Sequence, residues 1–135
     1  MNESFITIEV DINPTEDHKK VETAIENLFL FSSLQYKLLT QTRGSLLRVN
    51  GRGNEALTKF YKRLREERII TAARRVLIKG ICSSSIIFYL NKQAAYMRHI
   101  SFCESTGEGP LGSIRVEIKA NKPIELIDWL APQIN

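Results

Sequence analysis

Side chains suited to metal binding or nucleophilic chemistry are scarce in this sequence. Its two cysteines, Cys82 and Cys103, form no CxxC pair, and its two histidines, His18 and His99, stand at unrelated spacings. A tetrahedral zinc site gathers four N or S ligands at characteristic spacing, so no metal is expected. Both cysteines are expected as small, buried or half-buried thiols, because no secretory pattern precedes them. Apolar runs such as Ile86–Leu90 fall far short of the roughly 18 residues of a membrane span. The N-terminus alternates strand-like residues where a signal peptide would be basic and then apolar. A cytoplasmic location with no membrane partner is the expectation.

Nucleotide and catalytic motifs are missing in the same way. Gly107-Glu108-Gly109-Pro110-Leu111-Gly112 matches GxGxxG in letters, but Pro110 and the strand text Ile114-Arg115-Val116 follow where a helix should open to hold pyrophosphate. A mobile loop that binds no dinucleotide is expected there. Gly51-Arg52-Gly53-Asn54-Glu55-Ala56 does run from a strand into a helix that Asn54 can cap, yet no acidic partner follows some 20 residues later. No cofactor is expected; Arg52 beside that helix start offers at most one phosphate contact. Ser83, Ser84, Ser85 and Cys82 have no base at a recognisable spacing, and Glu66-Glu67 point to different faces of a helix. Catalytic residues are therefore none, and an enzyme is not expected.

What is present is an ordinary globular composition and an unusual distribution of charge. With 43% hydrophobic and 25% charged residues, the 135 residues suffice for one domain with a core that needs no disulfide or metal. The net charge of +4 conceals a polarity along the chain. Residues 1–36 hold two lysines against seven acids, whereas residues 37–79 hold twelve lysines and arginines against three acids, a net of +9. That excess is too one-sided for i,i+4 ion pairs to neutralise, and it is the electrostatic footprint of a surface that meets phosphates.

Periodicity outlines the elements. Ile6, Ile8, Val10 and Ile12 alternate with polar residues over Ser4–Ile12, the pattern of a half-buried strand. Thr15 is placed to cap a helix with the stripe Val21, Ala24, Ile25, Leu28, Phe29. Leu34–Thr40 and Ser45–Asn50, around Thr42-Arg43-Gly44, read as a hairpin with Leu47 and Val49 inward and Arg48 outward. A helix from Asn54 carries Leu57, Phe60, Tyr61 and Leu64 on one face, and Thr71 is placed to cap another through Lys79. Strands are expected at Ile86–Leu90, Tyr96–Phe102 and Ser113–Lys119. Pro123 then opens a helix with a stripe of Ile124, Ile127, Trp129 and Leu130, which Pro132 ends. Short connections between strands and single-striped helices predict an α+β two-layer sandwich, a mostly antiparallel sheet with helices packed on one face.

Leu90-Asn91-Lys92-Gln93-Ala94-Ala95 is the most unusual stretch, three hydrogen-bonding side chains between Tyr89 and Tyr96. It reads either as a connection in which Asn91 closes a turn or caps a short helix, or as a contact site. In the second reading Lys92 meets a phosphate, Asn91 or Gln93 a base edge, and a tyrosine stacks. This motif, the helix text Ile69-Ile70-Thr71-Ala72-Ala73-Arg74-Arg75-Val76-Leu77, the run Gly112-Ser113-Ile114 and the tail Ile127-Asp128-Trp129-Leu130-Ala131-Pro132 together resemble a small archaeal family of uncharacterised, RNA-binding-related proteins. The resemblance spans nearly the whole chain. It implies structural similarity to the large-subunit ribosomal protein that binds 5S RNA, and with it an antiparallel sheet with helices on one side; it supplies no catalytic residues. The expectation is a non-catalytic module that binds structured RNA or a ribonucleoprotein through Arg48, Arg52, Arg63, Arg74, Arg75, Lys79, Asn91, Lys92 and Gln93. A structural module that forms a homodimer or docks an acidic partner is the alternative, with an RNA-processing enzyme third.

Overall fold

The structure of the chain is a computed structural model that describes residues 4–30, 35–40, 45–103 and 113–133. Among these residues seven strands form one sheet: β1 (Ser4–Ile12), β2 (Gln35–Thr40), β3 (Ser45–Arg52), β4 (Ile81–Cys82), β5 (Ser85–Asn91), β6 (Phe102–Cys103) and β7 (Ser113–Ala120). Their order is β2-β3-β1-β7-β5-β4, with β6 on the same edge of β5 as β4, and every pairing is antiparallel. The helices are α1 (His18–Leu28), α2 (Gly53–Ala56), α3 (Thr58–Glu66), α4 (Ile70–Lys79), α5 (Lys92–Tyr96) and α6 (Pro123–Leu130). This is the expected α+β architecture. The expected turn at Thr42-Arg43-Gly44 and the glycine-rich loop Thr106–Gly112 lie outside the described residues.

The pleat sorts the sheet into two faces, because successive side chains point to opposite sides. Ile6, Ile8 and Val10 of β1, Leu47 and Val49 of β3, Ile114, Val116 and Ile118 of β7, and Ile86, Phe88 and Leu90 of β5 are buried beneath the helices. Their alternates, among them Phe5, Thr7, Glu9, Arg48, Arg52, Arg115 and Lys119, form an open face. Under the helices, Phe60 stacks on Phe29 at 5.4 Å and lies 5.6 Å from Phe88, while Phe102 meets Phe60 and Phe88 edge-on. Such pairs fill the layer with rigid apolar volume.

Several local expectations are corrected. The cap of α1 is Asp17, whose carboxylate accepts from the Lys19 N–H at 2.9 Å, and not Thr15, which sits in the preceding turn closed by Glu16 N–H to the Asn13 carbonyl. Asn54 does not cap: its Oδ1 accepts from the Ser4 hydroxyl, and the helix expected from it is divided at Leu57 into α2 and α3. Ile69, not Thr71, occupies the N-cap of α4. The reason is the close of α3, where Arg68 takes the left-handed conformation and the N–H groups of Ile69 and Arg68 bond the carbonyls of Leu64 and Arg65. This is a Schellman closure, and it starts the next helix at once.

The same device explains the largest correction, the strand expected over Tyr96–Phe102. Asn91 accepts from the Ala94 N–H at 2.8 Å and starts α5, as the capping reading of that motif required. Arg98, again left-handed, returns His99 N–H to Ala94 and Arg98 N–H to Ala95. Of the described residues in this stretch, Phe102–Cys103 pair with β5. In α6, Leu126 joins Ile127 and Leu130 in the core whereas Ile124 is exposed, because Ile124 falls on the Asp128 side of the helix wheel. Neither cysteine is in a disulfide; Cys82 is exposed, not buried, at the β4–β5 turn, and Cys103 is half-buried.

Gly80, at the end of α4, marks a close approach of backbones: its carbonyl accepts from Ile87 N–H, and a Cβ on it would overlap the Ile87 carbonyl oxygen. Gly80→Ala is expected to destabilise the fold by about 1–3 kcal/mol, the usual cost of overpacking a site that cannot relax. Chemical denaturation checks this; an unchanged midpoint would show that the β4–β5 hairpin gives way freely.

Candidate nucleic-acid interface

The residues nominated from sequence do not share one surface. Arg48 and Arg52 project from β3 on the open sheet face, whereas Arg63, Arg74, Arg75 and Lys79 belong to α3 and α4 on the opposite side. Short connections do keep β3, α3 and α4 adjacent, but the pleat turns the arginines of the strand away from the helices.

On the open face, Arg48 holds Glu9 through Nε at 2.8 Å and Nη2 at 2.7 Å. Arg115 lies 3.5 Å from the other Glu9 oxygen and 3.1 Å from Glu117. Burial disfavours the Arg115 charge, but hydrogen bonds and attraction from Glu117 and Tyr89 outweigh it and raise its pKa above the ordinary value. The centre of the sheet is thus a ladder of alternating charge that is internally compensated. Arg52 is different: it is exposed, stands in register with Phe5, and has no polar partner among the described residues.

On the helix layer the cations divide by what they touch. Arg63 bonds Glu67 at 3.0 Å and Glu66 at 3.4 Å, and Arg74 bonds Asp128 at 2.7 Å and the Ala131 carbonyl at 3.1 Å. Both are structural ties, the second locking α4 to α6. Arg75 and Lys79, one turn apart on the outer side of α4, are exposed and have no such partner among the described residues; Lys62 and Arg68 are likewise exposed. One functional-looking group escaped the sequence reading. Arg65 lies 3.5 Å above the Tyr61 ring, donates to the Tyr61, Leu130 and Trp129 carbonyls, and Tyr61 stacks on Trp129 at 4.8 Å. The i,i+4 spacing of Tyr61 and Arg65 was the only trace of it in the sequence.

Asn91, Lys92 and Gln93 sit together but face different ways. Lys92 is 5% exposed, and its ammonium donates to the Asp11 carbonyl at 2.7 Å and to both Glu16 oxygens at 3.1 and 3.2 Å. It joins the end of β1, the start of α1 and α5, and its charge is compensated inside the fold. Gln93 is exposed on the rim of a cleft of about 560 Å³ between α1 and α5, with Val21, Ala24, Tyr96 and Met97 as its apolar lining and Lys20 6.0 Å from the Tyr96 ring. Asn27 fastens the same two helices by donating to the Ala95 and Tyr96 carbonyls at 3.0 Å.

Among the described residues no His, Cys, Asp or Glu group has the makings of a metal site, and no helix is long and apolar enough to cross a membrane.

Comparison with known proteins places the chain. A family model described as RNA binding matches residues 5–120. A UPF0201 protein of Sulfurisphaera tokodaii is 44% identical over 128 residues, covering 95% of this chain and 87% of that protein. One from Saccharolobus solfataricus is 39% identical over 130 residues with the same coverage. The crystal structure of the UPF0201 protein from Methanococcus jannaschii superposes with a TM-score of 0.81 at 30% identity, over 97% of this chain and 95% of that one. Mth689 of Methanothermobacter thermautotrophicus, at 16% identity and a TM-score of 0.67, shares the fold. The chain belongs to the UPF0201 family of archaeal proteins, and its residues 5–120 match the family model described as RNA binding.

Proposed function

We propose that the protein binds RNA without altering it chemically, and that the outer side of α4 is its main phosphate-contacting surface. The observation that carries this reading is the pair Arg75 and Lys79, exposed and without polar partners among the described residues, in a chain that matches an RNA-binding family. Lys62 on α3 and Arg68 in the turn between α3 and α4 add exposed positive charge on the same side of the sheet. Arg63 and Arg74 are left out of it because acids neutralise each, Arg63 through Glu66 and Glu67 and Arg74 through Asp128 of α6. Lys92 and Asn91 shape the α5 turn, and Gln93 at its rim is free to meet a base edge. Structured RNA is the favoured ligand, and 5S RNA is the first to try, given the resemblance drawn from the sequence.

If about five phosphates are neutralised, affinity for an RNA hairpin falls roughly 500-fold between about 50 and 200 mM salt, at a log–log slope near −0.9 per contact, the value for a double helix. Replacing Arg75 and Lys79 together by glutamine is expected to flatten that slope by about 1–2 units at unchanged melting temperature. Arg74→Ala is expected to do the reverse, lowering the melting temperature through the loss of Asp128 and Ala131 while changing the slope little. Fluorescence anisotropy across a salt series, with thermal melts alongside, reads both. Binding that ignores salt, or that survives the Arg75/Lys79 double change, refutes the assignment.

A further inference from the structure

The open face of the sheet carries one large apolar side chain in full view. Phe5 is 50% exposed at the start of β1, where its neighbours in register are Arg52 on β3 and Lys119 on β7. Cross-strand neighbours on one face have Cβ atoms roughly 4.5–5.5 Å apart, so the ring is flanked on both sides by a cation. Both cations are exposed, and neither has a polar partner among the described residues. An exposed aromatic ring between two uncompensated cations has the two components of single-strand recognition: a π-surface that any base can stack on, and charges for the phosphates on either side.

Resting on the RNA-binding reading above, we propose that this end of the open sheet face is a second contact region, in which Phe5 stacks an unpaired base and Arg52 and Lys119 hold its flanking phosphates. A duplex keeps its bases stacked on each other and offers Phe5 only backbone, so the ligand is a single-stranded segment or loop. The rest of the face agrees. Farther from Phe5, the row Arg48, Glu9, Arg115 across β3, β1 and β7, with Glu117 beside it, is already compensated by its own ion pairs. A protein covering the whole face would have to strip water from that ladder, at a large desolvation cost. A strand of RNA lying across the Phe5 row leaves the ladder hydrated. The site is also separate from α4, since the sheet lies between them, which lets one protein hold a structured element on its helices and a single-stranded segment on its sheet.

Phe5→Trp provides a direct test, because it places an indole where the base is expected and leaves Trp129 as the only other tryptophan. A labelled oligouridylate is expected to bind this variant with quenching of its fluorescence. Phe5→Ala is expected to weaken oligouridylate binding roughly 5- to 150-fold, the range for losing one stacked base, while an RNA hairpin with a short, closed loop binds as before. The paired change Arg52→Gln and Lys119→Gln should flatten the oligouridylate salt slope by about 1–2 units. Thermal melts of each variant separate contact loss from unfolding. Oligouridylate bound at full affinity by a folded Phe5→Ala protein, or without quenching by Phe5→Trp, overturns the site. So does a wild-type dimer in sedimentation that Phe5→Ala dissociates, which would make this face an interface between copies. If Arg75 and Lys79 govern hairpin binding while Phe5 has no effect on either RNA, this inference falls and the α4 surface stands. If neither RNA binds the wild type, the RNA-binding reading fails and this inference with it.

Discussion

Deleting residues 123–135 is expected to remove several kcal/mol of stability and to leave at best a loosely packed chain. Leu126, Ile127, Leu130 and Ala131 are buried against the core, and large apolar side chains contribute about 1.5–3 kcal/mol each when fully removed from water. An eight-residue helix is too short to persist in water without such packing, so α6 owes its existence to the surface it covers. Two polar ties would go with it: Arg74 to Asp128 and the Ala131 carbonyl, and Arg65 to the carbonyls of Trp129 and Leu130. A milder version, Ile127→Ala, is expected to cost about 2–5 kcal/mol, the range for a fully buried large-to-small change. Guanidinium titrations followed by circular dichroism measure both. A truncated protein that melts like the full chain would mean that α6 is an appendage.

Lys92→Ala is expected to be comparably damaging, by about 3–5 kcal/mol, although it removes a residue that sequence alone places on a polar connection. Glu16 is only 9% exposed and would lose its countercharge, and the Asp11 carbonyl would lose a donor. Breaking one side of a buried pair costs far more than removing both. Lys92→Met combined with Glu16→Leu is therefore expected to recover much of the loss, and the double-mutant cycle gives the coupling between them. Equal losses that simply add would show the pair to be solvated. Because Lys92 joins β1, α1 and α5, its removal is also expected to loosen the α1–α5 cleft without changing the salt slope of RNA binding, which belongs to exposed cations.

These expectations depend on structure that the sequence reveals unevenly. The alternation in β1, β3, β5 and β7 was legible because one face of an antiparallel sheet is buried, so side-chain polarity records the pleat directly. The stripes of α1 and α3 and the proline at the start of α6 were legible for the same kind of reason. Helix limits near residues 69 and 98 were not. Both are set by arginines in the left-handed conformation, where glycine or asparagine is the usual signal. Read as a linear pattern, Tyr96–Phe102 looks like a strand; the Asn91 cap and the reversal at Arg98 give most of it to a helix and a turn.

The sequence by itself determined the fold class, the helix-covered face of the sheet and the concentration of positive charge in residues 37–79, since each follows from local periodicity or simple counting. Only the tertiary structure decided which charges are available. Arg48 meets Glu9 from a neighbouring strand, Arg63 meets Glu66 and Glu67 at the end of its own helix, Arg74 meets Asp128 from α6, and Lys92 meets Glu16 from the turn before α1. Most of these partners lie 39 to 76 residues apart in the chain. Coulomb attraction acts on distance in space, which the order of residues does not specify, so the same block of charge divides into compensated structural ties and the exposed cations left to meet phosphate.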